Sequence, residues 1–177
     1  MNHIMENKVL ASVRNKTVCF TGHRQMKAPL SEIKSNIVAA VEKLILKGYL
    51  YFATGGARGF DALASEVVLE LKERYPQIHL ILVLPFDEPY KKDKGWKPSE
   101  IAQYHRLKEH ASMVIVLSSA YRSGVYYKRN RYLVDHASAC VVYLTRINSG
   151  TGYTVNYARS NELEIINLAS SKNFHHL

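Results

Sequence analysis

In "TVCFTGHRQ" an apolar, strand-like run stops at a glycine, and Thr21, Gly22, His23 and Arg24 follow one another at its end. A guanidinium there can clamp a phosphate through two parallel N–H bonds, and an imidazole can stack on a base or polarise a bond. The plainer alternatives are a salt bridge from Arg24 to a nearby helix and a structural His23. A second stretch with chemical potential is "TGGARGFD", Thr54 to Asp61. Gly55, Gly56 and Gly59 allow a sharp turn and leave the loop amides, that of Ala57 included, open to a ligand without a Cβ in the way. The helix expected to begin at Phe60 or Asp61 adds unpaired N–H donors and partial positive charge, which suit phosphate. Arg58 offers another phosphate contact or is simply solvated. Asp61 either caps the helix or holds a ribose hydroxyl, because a carboxylate repels phosphate. The loop carries neither the Gly-Lys-Ser/Thr of a Walker loop nor the GxGxxG spacing of dinucleotide dehydrogenases.

Two later stretches carry the same kinds of residue. In "YYKRNRYLVDHAS", Asn130 can cap a helix or meet a ligand, and Arg129 is a ligand contact or a surface charge. Tyr126 and Tyr127 beside them either sandwich a base or pack into the core. In "NSGTGYT", Gly150, Thr151 and Thr154 precede or open a helix, with hydroxyls that reach phosphate or the helix backbone. His105 and His110 are five apart, off one helical face, and no cysteine or acid completes a ligand set, so no metal site is expected.

The elements that must position these residues alternate between strand and helix. Strands are expected at 17–21, 49–54, 78–85, 112–118, 139–145 and 163–169, with helices at 29–49, 60–75, 99–110, 126–138 and 150–161 between them. In the first helix Ser31 is the expected cap, and Ile33, Ile37, Val41, Leu44 and Ile45 share one face before Gly48 ends it. "IHLILVLP" is nearly continuous in apolar residues, as a strand covered on both faces should be. The pattern predicts an α/β fold: a single Rossmann-like domain with a mostly parallel central sheet flanked by helices. Residues 1–15 read as an N-terminal tail and 16–177 as the domain. Ligands of such sheets bind beyond the C-terminal ends of the strands, where all four of these stretches fall. Residues 86–98, "FDEPYKKDKGWKP", interrupt the alternation and are a candidate lid.

The chain has 177 residues with a formal charge of +9. Residues 90–131 hold ten Lys or Arg against three acids, a net +7. Such a segment meets nucleic acid, a phosphorylated small molecule or water alone. No apolar run approaches the ~20 residues of a membrane helix, and no signal-like apolar segment opens the chain. Cys19 and Cys140 sit in strand-like runs and form no CxxC pair, which points to buried thiols and the cytosol.

"TGHR", "GGARGFDALASEV", "RNRYLVDHAS" and "GTGYTVNYA", in this order and spacing, resemble the YpsA-like branch of the SLOG superfamily. That Rossmann-like group also contains the DNA-processing protein DprA (Smf) and the LOG-type nucleotide hydrolases. The resemblance spans about residues 16 to 168. It implies a pocket for a nucleotide-derived ligand related to ADP-ribose or NAD, in a ligand sensor or in an enzyme that cleaves nucleotide N-glycosidic bonds. It also leaves open a DprA-like single-stranded nucleic-acid binder working through the basic segment 90–131, and a homodimer, since related proteins often associate. One departure bears on turnover. LOG-type hydrolases share "PGGxGTxxE", whose glutamate is catalytic. Here "NSGTGYTV" puts Thr154 near that position, and no Asp or Glu occurs from Thr145 through Asn161. Asp61 or Asp135 would then have to serve, Asp61 being the catalytic candidate, and both have simpler structural roles, so binding without turnover is the favoured expectation.

Overall fold

A computed structural model describes residues 3–169. Residues 1 and 2 of the expected tail and 170–177 of the expected domain lie outside the described residues. The six strands are β1 Thr17–Gly22, β2 Tyr51–Thr54, β3 His79–Leu84, β4 Met113–Val116, β5 Ala139–Tyr143 and β6 Glu164–Asn167. They form one sheet in the order β4-β3-β2-β1-β5-β6. Every pairing is parallel. The helices are α1 His3–Ser12, α2 Leu30–Leu46, α3 Phe60–Lys72, α4 Pro98–His110, α5 Val125–Asp135 and α6 Gly150–Ser160.

Alternate strand residues feed two separate cores because successive side chains of a strand point to opposite faces. Val18, Phe20, Phe52, Leu80, Leu82, Leu84, Val141 and Tyr143 pack against α2, α3 and α4. Cys19, Ala53, Ile81, Val83, Ile115, Cys140 and Val142 pack against the other face, under α5 and α6. This double cover explains the unbroken apolar run of β3. Cys19 and Cys140 are register partners in β1 and β5, and both are buried and free. On α2 the expected face, Ile33, Ile37, Val41, Leu44 and Ile45, is the buried one.

Several local expectations are corrected. The N-terminal stretch read as a tail contains α1, and its Leu10 is buried in the α5–α6 core. Ser31 does not cap α2: the helix starts at Leu30 behind Pro29, with no side-chain cap, and Glu32 remains in its first turn. Most strands are shorter than the apolar runs suggest, since β4 closes at Val116 and β2 opens only at Tyr51, whereas β1 runs one residue further, to Gly22. Among the described residues no helix is long and apolar enough to cross a membrane.

Candidate functional site

The strand order reverses direction at β1. From β1 the chain builds outward through β2, β3 and β4, then returns to β1's other side with β5. At such a point the loops leaving neighbouring strands diverge and leave a crevice at their C-terminal ends. A cleft of about 730 Å³ lies there. Its floor and rim include Thr21 and Gly22 at the end of β1 with His23 and Arg24 beyond it, Ala57, Arg58 and Asp61 after β2, and Arg146, Ser149, Gly150 and Thr151 after β5. Tyr126, Tyr127, Arg129 and Asn130 of α5 form one wall, and Lys97 and Glu100 close the side toward α4.

The β2–α3 loop is held by a clamp on Gly55. Its N–H donates to Asp61 Oδ2 at 3.1 Å, and Arg129 Nη1 donates to its carbonyl. No Cβ fits at this position, because it would overlap the Arg129 guanidinium and lie 2.8 Å from Asp61 Oδ2. Gly59 ends the loop at φ 81°, in the left-handed region, with the Arg24 backbone against it. Asp61 is therefore no cap. Gly59 precedes the helix, and Asp61, second in α3, reaches back to the loop amides of Gly55 and Ala57. Burial pushes the Asp61 carboxyl above the usual carboxylate range, and Arg129 and the two amides offset only part of that rise. Arg129 stays protonated across the working pH range, so Asp61 serves as its buried countercharge.

Arg129 itself is 8% exposed, not the surface charge that its polar neighbours suggest. Its Nε donates to Asn130 Oδ1 at 2.7 Å, which orients that amide. Asn130 lies well inside α5, whose N-cap is Gly124, so the capping role is overturned. Tyr126 and Tyr127 do not join the core. They line the cleft, and Tyr127 is exposed with its ring edge-on to Tyr153 at 4.8 Å between centroids.

His23 continues β1 by donating its N–H to the Tyr143 carbonyl, and it accepts from the Phe60 N–H through its own carbonyl at 3.2 Å. Its ring Nε2 accepts the N–H groups of Thr145 (3.0 Å) and Arg146 (3.3 Å). A nitrogen that accepts carries no proton, so the ring is neutral with its hydrogen on Nδ1. Burial holds its pKa below the usual histidine value, and the charges of Arg146 and Lys27 lower it further. His23 thus ties the β5–α6 loop to β1, the structural role. Arg24 forms a salt bridge, to Asp93 of the segment 86–98 rather than to a helix, at 2.6 Å.

Ser149 caps α6, accepting the Gly152 N–H at 3.0 Å and donating to the Arg146 carbonyl at 2.7 Å. This spends its hydroxyl, and Gly150 and Thr151 of the first turn of α6 line the cleft beside it. Four of the candidates do not line the cleft: Gly55, Gly56, Gly59 and Thr154. The three glycines shape the loop from behind. Thr154 is 1% exposed and donates to the Gly150 carbonyl at 3.0 Å. The other eleven candidates come together. Gln25, Lys97, Glu100, Arg146 and Ser149 also line the cleft and were not anticipated. Only the position of Arg146 and Ser149 beside "GTGYT" could have signalled them. The basic segment is partly neutralised within the fold, since Lys91 pairs with Glu88, Arg106 with Glu66 and Lys108 with Asp87. No group of three or more His, Cys, Asp or Glu suited to a metal occurs among the described residues.

A family model named YpsA, described as the YspA SLOG family, matches residues 16–168. The SPbeta prophage-derived protein YoqJ of Bacillus subtilis (strain 168) is 34% identical over 152 residues, covering 78% of this chain and 87% of that protein. Among solved structures, DNA processing protein A from Helicobacter pylori superposes with a TM-score of 0.63 at 17% identity, covering 95% of this chain and 71% of that one. DprA from Streptococcus pneumoniae superposes with a TM-score of 0.62 at 16% identity, covering 90% of this chain and 52% of that one. At these identities the likeness is one of fold.

Proposed function

The chain belongs to the YspA SLOG family, and from that premise we propose that it is a cytosolic protein that binds a nucleotide-derived ligand, of the ADP-ribose or NAD kind, as a sensor rather than a hydrolase. The observation that carries this reading is the cleft's cationic lining at the switch point. Arg24, Arg58, Lys97 and Arg146 surround it, and the first amides of α6 open onto it. Phosphate oxygens accept bonds from all of these groups, and the dipole of α6 adds to their attraction. The aromatic wall of Tyr126 and Tyr127 suits a base, and Asn130, its oxygen occupied by Arg129, turns its amide N–H groups to acceptors on the ligand.

Binding without turnover is favoured by the state of the two carboxylates on the lining. Asp61 is committed to the loop amides, and Glu100 accepts the Lys97 N–H at 2.7 Å and faces Arg58 at 3.8 Å. Neither is left to activate water or support an oxocarbenium-like centre. A second reading, single-stranded nucleic acid, rests on exposed Lys92, Lys94 and Lys97 beside the cleft. It gains some support from the Helicobacter fold neighbour, whose structure concerns single-stranded DNA binding.

Thermal shifts with AMP, ADP-ribose, NAD and a single-stranded oligonucleotide at one salt concentration separate the two. A ligand at ~100 times its dissociation constant adds roughly 2.7 kcal/mol. For a domain of this size that is a rise of about 5–11 °C. A rise with a nucleotide, reduced in Arg24→Ala, supports the cleft. A rise with the oligonucleotide alone, shrinking steeply with salt, shifts the assignment to the lysines.

A further inference from the structure

Both ends of the segment between β3 and α4 are anchored by α4. Asp87 accepts from Lys108 at 2.7 Å and from the Tyr104 hydroxyl at 3.2 Å. At the other end, Lys97 and Glu100 form the capping box that starts α4. Between these anchors, Tyr90 and Trp96 rest edge-on against the buried Tyr104 ring, 5.6 and 5.9 Å away.

The middle of the segment is held by the cleft's own cations. Arg24 Nη1 donates to Asp93 Oδ2 at 2.6 Å, and Arg58 Nη1 donates to the Gly95 carbonyl. Asp93 Oδ1 in turn accepts the Gly95 N–H at 3.3 Å, so the two attachments are joined. Lys92 also lies over the Tyr121 ring at 4.8 Å, and nearer the first anchor the Tyr90 hydroxyl meets His105 Nε2 at 2.9 Å. The arrangement also leaves Arg58 Nε buried with no hydrogen-bond partner. An unsatisfied buried donor weighs against the state that contains it.

We propose that residues 87–97 are an intramolecular latch, in which Asp93 and the Gly95 carbonyl occupy Arg24 and Arg58 until a ligand's phosphate displaces them and frees the segment. This deepens the reading of the cleft as a nucleotide site and rests on it. Asp93 is an anion seated on a phosphate-binding cation, so ligand and latch compete for the same guanidinium N–H groups. Arg24 and Asp93 keep 48% and 24% of their side-chain surface exposed, which makes the pair weak enough to exchange. Trp96 is the sole tryptophan of the chain and sits inside the latch, so tryptophan emission reads this segment.

The test compares wild type, Asp93→Asn, Arg24→Ala and the double variant, with Asp87→Asn as a control that removes the same charge from the anchored end. ADP-ribose affinity is read by calorimetry and Trp96 emission by fluorescence. Asp93→Asn is expected to bind ADP-ribose about 1.5- to 5-fold more tightly, the range of an exposed ion pair. That gain should vanish in the Arg24→Ala background and be absent in Asp87→Asn. Without ligand, Trp96 emission in Asp93→Asn should move toward that of wild type saturated with ADP-ribose. Equal affinity in wild type and Asp93→Asn, or a gain that persists without Arg24, overturns the latch. Failure of wild type to bind any nucleotide overturns the reading of the cleft instead. The latch is then judged by the ligand-free comparison, where identical Trp96 emission in wild type, Asp93→Asn and Arg24→Ala overturns it.

Discussion

Replacing Asp61 with alanine removes the anion that faces Arg129 and one arm of the clamp on Gly55. Arg129 is 8% exposed, so without Asp61 its charge stays largely buried and uncompensated. Breaking one partner out of a buried charge pair costs about 3–5 kcal/mol. At ~2–4 °C per kcal/mol the melting temperature should fall by roughly 6–20 °C. Asp61→Asn keeps the volume but swaps an acceptor oxygen for an amide N–H facing backbone donors, and most of the loss should remain. Adding Arg129→Met to Asp61→Asn removes the stranded charge, so the double variant should be more stable than the sum of the single effects by ~1–3 kcal/mol. Thermal and urea unfolding followed by circular dichroism measure wild type, the three single variants and the double variant. A fall of less than ~3 °C in Asp61→Ala, or additive single and double variants, would refute the clamp. The same series separates structure from catalysis. An N-glycosidase using Asp61 to orient ribose or water would lose base release in Asp61→Asn while keeping its melting temperature.

Three further outcomes follow from the same geometry. The folded state holds His23 below its ordinary 6.5, so the unfolded chain takes up the proton first. Stability present above that value is lost as pH falls through it toward the folded value, with no further loss below. His79 shifts the same way through burial and Lys72, so His23→Gln should flatten the pH dependence of urea stability only in part. Arg146→Ala removes an exposed rim cation and should leave stability within ~0.5 kcal/mol while weakening nucleotide binding roughly tenfold, read by calorimetry. Gly152→Ala puts a Cβ into the Ile147 carbonyl and should destabilise by ~1–3 kcal/mol while displacing the α6 amides from the rim, read by urea unfolding and ligand titration.

The α/β architecture was legible because its signals are local. Apolar runs such as "HLILVL" and the 3.6-residue face of α2 announce their own burial, and glycines mark the loops that follow. The location of the cleft followed from that alternation, since "TGHR", "GGARG" and "SGTG" each stand at or after a strand's end. What stayed hidden depends on pairs distant in sequence. Asp61 reads as a helix cap until Arg129, 68 positions on, arrives on the other side of Gly55. Arg129 lies in "YYKRNRYL", whose polarity suggests solvent, and its burial comes from the loop that it grips. The α1 helix has no continuous apolar stripe, so the burial of Leu10 left no periodic trace. Lys97 and Glu100 reach the cleft only because the 86–98 segment folds toward Arg24 and Arg58, which no local pattern encodes.

Backbone amide chemical shifts during a titration with ADP-ribose test the location of the site most directly. The account predicts the largest changes at Gly22–Arg24, Ala57, Gly150 and Thr151, the residues that meet at the switch point between β1 and β5. Changes confined to Lys92, Lys94 and the exposed face of α4, with the three loops silent, would contradict it.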